Sequence, residues 1–164
     1  MPETVNGLPL HPLVVHAVVV LLPLAALGVI AVAARPAWRS KYAGLVALVT
    51  LGASLTIPLA TESGENLERQ VGRPGVHAEL GDSLIWFALP LLAIAIALYW
   101  TSRRRQSTSD DAVARPAAGK AAAATFAVLA IAIAIANLVQ VYRIGDSGAK
   151  AVWQNTPAAA TRER

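Results

Sequence analysis

The chain alternates four long apolar runs with short polar segments. The runs cover residues 13–34, 42–60, 83–100 and 121–141. Each run is close to or above the roughly 18 to 20 residues that a helix needs to cross the hydrocarbon of a bilayer. The alternating Ile and Ala of the fourth run imitate a strand, but they lie inside an unbroken apolar stretch, which favours a helix. We therefore predict an all-α fold, a bundle of four transmembrane helices.

Composition supports a membrane protein and limits its chemistry. Of the 164 residues, 55% are hydrophobic and 15% are charged, and the mean hydropathy is +0.52. This is more apolar material than a soluble domain of this length buries. We expect one four-span domain over residues 1–153 and a flexible tail over 154–164, with the first run retained as a span. Because the chain has no cysteine, disulfides, thiolate metal sites and iron–sulphur clusters are excluded.

The charged residues predict the orientation in the membrane. Arginine and lysine predominate in the connections after the first and third runs, whereas acidic residues predominate in the middle connection. Since basic loops stay in the cytoplasm, we expect both termini and the middle connection to be extracytoplasmic. The net charge of +4 then belongs to loops near the membrane. The expected partner is the lipid bilayer and not nucleic acid.

Three histidines fall on the predicted outer side. His16 lies about one turn inside the first run, where an ionisable group usually marks a functional site. His11 and His16 are about 140° apart around an ideal helix and do not share a face. His16 and His77 come from separate segments, so we expect them to be the two axial ligands of a b-type haem. Glu65 or Asp146 is expected beside them.

Other uses of these residues remain open. If His11 folds back over the first helix, a site of His11, His16 and His77 with Glu62 or Glu79 suits Zn or Cu. A proton relay near the outer surface is a third use. The structural alternatives are that His11 caps its helix, that His16 bonds within the bundle and that His77 is solvated. The segment Gly145–Gly148 is predicted to end the fourth helix as a turn.

Four motifs together resemble a known bacterial family. They are GLPLHPLVVH at 7–16, ESGE at 62–65, HAELG at 77–81 and YRIGDSGAKAVW at 142–153. They are similar to the family called domain of unknown function 2231, over nearly the whole chain up to Trp153. The residues that match the family pattern are His11, Pro12, His16, Gly64, Glu65, His77, Gly81, Gly145, Ser147 and Gly148.

The resemblance implies a four-span membrane protein without an established activity. Some relatives are joined to Rieske-type domains, which implies a link to electron transfer. Ala17 and Val18 stand where many relatives have Phe-Pro. Asp146 stands where some relatives have histidine, so a potential metal ligand is replaced by a carboxylate.

The preferred hypothesis is a redox-associated membrane protein that binds b-type haem or a metal ion, working with a redox or membrane-complex partner. The competing hypothesis is a non-enzymatic structural or partner-binding subunit without a cofactor, and a homo-oligomer fits either one. A transporter is disfavoured because paired broken helices are not evident. Hydrolysis is disfavoured because Ser147 lacks the strand–turn–helix elbow of a nucleophile.

Overall fold

The computed structural model describes residues 4–5, 8–72, 75–107 and 117–153. These residues form helices α1 (Leu10–Ala34), α2 (Pro36–Val71), α3 (Val76–Ser107) and α4 (Ala117–Trp153). Two short antiparallel strands, β1 (Thr4–Val5) and β2 (Leu8–Pro9), precede α1. The predicted all-α class is confirmed, and the expected tail over 154–164 lies outside the described residues.

All four helices are long and apolar enough to cross a membrane. They continue beyond the predicted runs, because α2 extends past Ala60 to Val71 and α4 extends past Val141 to Trp153. The prediction of a terminating turn at Gly145–Gly148 is therefore wrong. Neither glycine has a positive φ, and Lys150 Nζ bonds Asp146 Oδ2 at 2.7 Å across one helical turn in this segment.

The helices alternate in direction around the bundle. Helices α1 and α3 each pack mainly against α2 and α4 and lie diagonally opposite one another. Arg35 alone connects α1 to α2, whereas Gly72 and Gly75 take positive φ values of 92° and 58° between α2 and α3. The start of α1, the α2–α3 connection and the end of α4 consequently lie at the same end of the bundle, which we call the polar end.

The inner faces combine alanines with a few large aliphatic residues, of which Leu22, Leu91 and Leu98 are fully buried. The small residues are buried where helices meet, which allows close helix approach in lipid. Many other large aliphatic residues point outward, towards the bilayer. The buried small residues include Ala26, Ala53, Ala88, Ala95, Ala130 and Ala134, and the outward residues include Val20, Leu24, Leu27, Leu45, Leu48, Leu55 and Val128.

Buried amides connect α4 to α3. Asn137 Nδ2 donates to the Phe87 carbonyl at 2.9 Å and to the Ile133 carbonyl at 3.0 Å. Gln140 Nε2 donates to Ser83 Oγ at 2.8 Å and to the Leu80 carbonyl at 3.2 Å. Because unpaired polar groups are costly in the interior, these bonds fix the register of α4 against α3.

Ala134→Leu tests this packing. Ala134 is fully buried, whereas Ala136 on the same helix is exposed. We expect Ala134→Leu to lower the free energy of unfolding by about 1 to 3 kcal/mol, because added methylenes force the packed helices apart. The matched control Ala136→Leu is expected to leave it unchanged. Unfolding in mixed detergent micelles measures both variants, and equal effects would contradict the assigned face of α4.

Candidate functional site

A cavity of about 330 Å³ opens at the polar end of the bundle. Its volume lies at the lower end of the range of roughly 300 to 1,000 Å³ found for small-molecule and cofactor sites. All four helices contribute to its wall. The contributing residues are His11, Val15, Val18 and Val19 of α1, Ile57, Ala60, Thr61, Gly64, Glu65, Leu67 and Glu68 of α2, His77, Ala78, Gly81, Asp82 and Leu84 of α3, and Val141 and Ile144 of α4.

His11 is the second residue of α1 and bonds across to α2. Its Nδ1 lies 3.1 Å from the Ala60 carbonyl oxygen and 3.1 Å from Ser63 Oγ. A carbonyl oxygen only accepts, so Nδ1 carries the proton and donates it. Ser63 Oγ in turn donates to the Ala60 carbonyl at 2.9 Å. The neutral ring is therefore the tautomer whose lone pair is on Nε2.

His77 repeats this arrangement on the other half of the bundle. It is the second residue of α3, and its Nδ1 donates to the Ile144 carbonyl of α4 at 3.0 Å. Ser147 Oγ lies 3.3 Å from the same Nδ1 and donates to the Ile144 carbonyl at 2.9 Å. In the neutral ring, the lone pair is then on Nε2.

A glycine faces each imidazole. A Cβ built on Gly64 would lie 3.1 Å from His11 Cε1, and a Cβ built on Gly148 would lie 3.0 Å from both Cε1 and Nδ1 of His77. These separations are shorter than a carbon atom tolerates without displacement of the ring. Glycine at the two positions thus allows each ring to lie against the neighbouring helix.

Carboxylates give the cavity a negative character. Glu65, Glu68 and Asp82 belong to its wall together with the two histidines. Ionised carboxylates accept hydrogen bonds and do not donate them, and an unprotonated Nε2 behaves in the same way. The cavity therefore presents mainly hydrogen-bond acceptors on its polar side.

The structure does not bring His16 to the cavity wall, where His11 lies with His77 instead. The ring of His16 is exposed, and its Nδ1 donates to the Pro12 carbonyl of its own helix. His16 shares its helical face with the outward side chains Val20, Leu24 and Leu27. His11 instead shares the face of Val15, Val18 and Val19, which belongs to the cavity.

The predicted carboxylates divide between the cavity and the surface. Glu65 lies at the cavity, whereas Asp146 pairs with Lys150, and Glu62 and Glu79 are exposed and outside the cavity wall. In the described part of the chain, no three His, Cys, Asp or Glu residues come close enough to hold a metal ion. The set of His11, His16 and His77 with Glu62 or Glu79 is therefore not assembled for Zn or Cu.

Two kinds of site residue were not predicted from the sequence. Glu68 and Asp82 were not selected, although Glu68 lies three positions after Glu65 on the same face of α2. Ser63 and Gly64 were not connected with His11, and Ser147 and Gly148 were not connected with His77. The signal available in the sequence was the repeated acid-Ser-Gly triplet at 62–64 and 146–148.

Fold and site together define a multi-pass membrane protein with a histidine-lined cavity at one end of a four-helix bundle. The chain belongs to the family described as "Predicted membrane protein (DUF2231)", whose profile matches residues 7–159. Comparison with curated proteins and with solved structures finds no match. The resemblance inferred from the four motifs is thus confirmed, and the family description leaves the activity open.

Exchanging histidine for leucine distinguishes the two faces of α1. His11→Leu removes hydrogen bonds between α1 and α2, so we expect the free energy of unfolding to fall by about 1 kcal/mol. His16→Leu replaces an exposed ring on the lipid-facing side by an apolar chain and is expected to leave stability unchanged or to raise it. Detergent unfolding curves measure both. Greater destabilisation by His16→Leu would contradict the assignment.

Proposed function

We propose that this membrane protein binds a metal centre, either a haem iron or a metal ion, between the Nε2 atoms of His11 and His77. The observation that supports this proposal most directly is the pair of Nδ1 bonds to backbone carbonyls. Histidines that ligate metals almost always donate the other ring N–H to a carbonyl or carboxylate, which fixes the tautomer and the direction of the ligating nitrogen. Both rings meet this condition at one cavity.

The donor set favours haem iron over a bare ion. A haem with two axial histidines takes only two donors from the protein, and two imidazoles are what the cavity offers. Much of the remaining wall is apolar, with Val15, Val18, Ile57, Leu84 and Val141, which suits a porphyrin. A Zn or Cu ion takes three or more protein ligands in most sites, and among the described residues no three His, Cys, Asp or Glu side chains come close enough to supply them.

A redox role follows if haem is the occupant. His11 and His77 would hold the haem iron, and the haem would supply one-electron redox chemistry, so the protein would serve a redox partner and would not act as an enzyme on its own. The distribution of basic residues supports an extracytoplasmic position for the polar end in a bacterial inner membrane. A carrier at that depth is accessible to a partner outside the membrane.

One observation favours a second candidate function. The bonds from His11 to Ala60 and from His77 to Ile144 already join neighbouring helices without any guest. On this reading the protein is a non-enzymatic structural or partner-binding subunit, and the histidines serve helix packing. The two candidates differ in whether removal of a histidine releases a bound group.

Absorption spectroscopy with metal analysis of freshly purified protein separates the candidates. We expect a Soret band that shifts on dithionite reduction, or a stoichiometric metal ion where haem is absent. His11→Ala and His77→Ala should each weaken binding by at least tenfold, because each removes one of two ligands. The control His16→Ala should retain the bound group.

A result contradicts the proposed function only if the protein tested is folded. Protein that stays colourless and metal-free after incubation with hemin, Zn²⁺ and Cu²⁺, while its helical content and melting are intact, would overturn the proposal. In that case His11→Ala and His77→Ala would lower only thermal stability, which is the expectation for the structural subunit.

A further inference from the structure

The same set of contacts occurs twice in the chain. We call each set a half-site: a histidine at the second position of a helix, a carbonyl and a serine that face its Nδ1, and a glycine against its ring. The first half-site consists of His11, Ala60, Ser63 and Gly64, and the second consists of His77, Ile144, Ser147 and Gly148. In both, the carbonyl precedes the serine by three residues and the glycine follows it directly.

The correspondence extends along the helices. A shift of 66 positions, which takes His11 to His77, also takes five buried residues of α1 onto buried residues of α3. A shift of 84 positions, which takes Ser63 to Ser147, takes buried residues of α2 onto buried residues of α4. The pairs are Val18 and Leu84, Leu22 and Ala88, Ala25 and Leu91, Val29 and Ala95, Val32 and Leu98 in α1 and α3, and Val46 and Ala130, Thr50 and Ala134, Ala53 and Asn137 in α2 and α4.

We propose that the bundle is an internal duplication of one helical hairpin, α1–α2 and α3–α4, and that each copy supplies an equivalent half-site to the shared cavity. In each half-site the serine is a positioning residue that holds the imidazole through its Nδ1, and the glycine leaves the space that the ring occupies. Parallel repeats of this kind are known in membrane proteins, where they are related by an axis along the membrane normal.

The diagonal placement of α1 and α3 fits such an axis. A rotation about the centre of the bundle exchanges α1 with α3 and α2 with α4, and it carries His11 towards the position of His77 at the same end. Helical packing alone accounts for recurring buried positions, because every helix of a bundle needs an inner face. It does not require the same acid-Ser-Gly triplet or the same bonded atoms.

The duplication also narrows the class of ligand, and this step alone rests on the proposed function. Two equivalent imidazoles would bind a ligand from two directions related by the twofold axis. A guest with two equivalent coordination positions, such as the two axial positions of a planar metal macrocycle, matches this symmetry.

The test is ¹⁵N NMR of the histidine side chains in the full chain, which is labelled with ¹⁵N-histidine and purified in detergent. We expect the nitrogen resonances of both His11 and His77 to report the tautomer with a proton on Nδ1. Ser63→Ala should shift the Nδ1 resonance of His11 and leave His77 unchanged. Ser147→Ala should shift His77 in the same direction and leave His11 unchanged.

Glycine variants and a matched serine complete the test. Gly64→Ala and Gly148→Ala should each displace the facing ring by a few tenths of an ångström and shift the Nδ1 resonance of that ring alone. Ser102 is buried, and its Oγ donates to the Tyr99 carbonyl three residues before it at 2.7 Å. Ser102→Ala therefore removes the same kind of bond far from the half-sites, and both histidines should keep their wild-type resonances.

The test of the duplication does not depend on whether a cofactor is bound. A proton on Nε2 in either ring, or a response to Ser63→Ala and Ser147→Ala no different from that to Ser102→Ala, would contradict equivalent half-sites. Where the purified protein carries a paramagnetic centre, the hyperfine-shifted imidazole resonances are compared in the same variants. If the folded protein binds no group after incubation with hemin, Zn²⁺ and Cu²⁺, the proposed function is contradicted, but the histidine resonances still test the duplication.

Discussion

The hydrogen bond from an imidazole Nδ1 to a carbonyl of the neighbouring helix is the contact on which the site depends. It occurs between His11 and Ala60 and again between His77 and Ile144. Each bond orients the ring and selects, for the neutral imidazole, the tautomer with its lone pair on Nε2. Because the acceptor belongs to another helix, the position of each ring is set by the packing of the bundle. The chemistry available in the cavity therefore follows directly from the way the helices meet.

Close helix approach is the second requirement. Buried alanines along the inner faces bring the backbones together, while Gly64 and Gly148 leave room for the rings. Many large aliphatic side chains lie on the outer faces, where lipid accommodates them, while Leu22, Leu91 and Leu98 fill the core between the alanines. At the polar end the helices continue beyond their most apolar stretches, so carboxylates such as Glu65 and Asp82 stand beside the histidines without full burial.

The helices were predictable because each apolar run is long enough to cross a bilayer. The face of each histidine was harder to predict. The position of His16 inside the first apolar run favoured it as a ligand. Its neighbours at helical spacing, Val20, Leu24 and Leu27, are however large aliphatic residues typical of a lipid-facing side. The partners of His11 and His77 depend on which helices become neighbours, and sequence spacing does not specify this. The helical continuation through Gly145–Gly148 was missed because glycine commonly ends helices, whereas here Gly148 faces a packed ring.

The central claim is tested most directly by a distance in lipid. Solid-state NMR of protein in bilayers, labelled at histidine Nδ1 with ¹⁵N and at isoleucine carbonyls with ¹³C, detects dipolar coupling only between nearby nuclei. Isoleucine does not adjoin any histidine in the sequence, so a coupling reports tertiary contact. The account predicts one strong coupling, from His77 to Ile144, whose Nδ1 and carbonyl oxygen are 3.0 Å apart. Absence of that coupling in folded protein would contradict it.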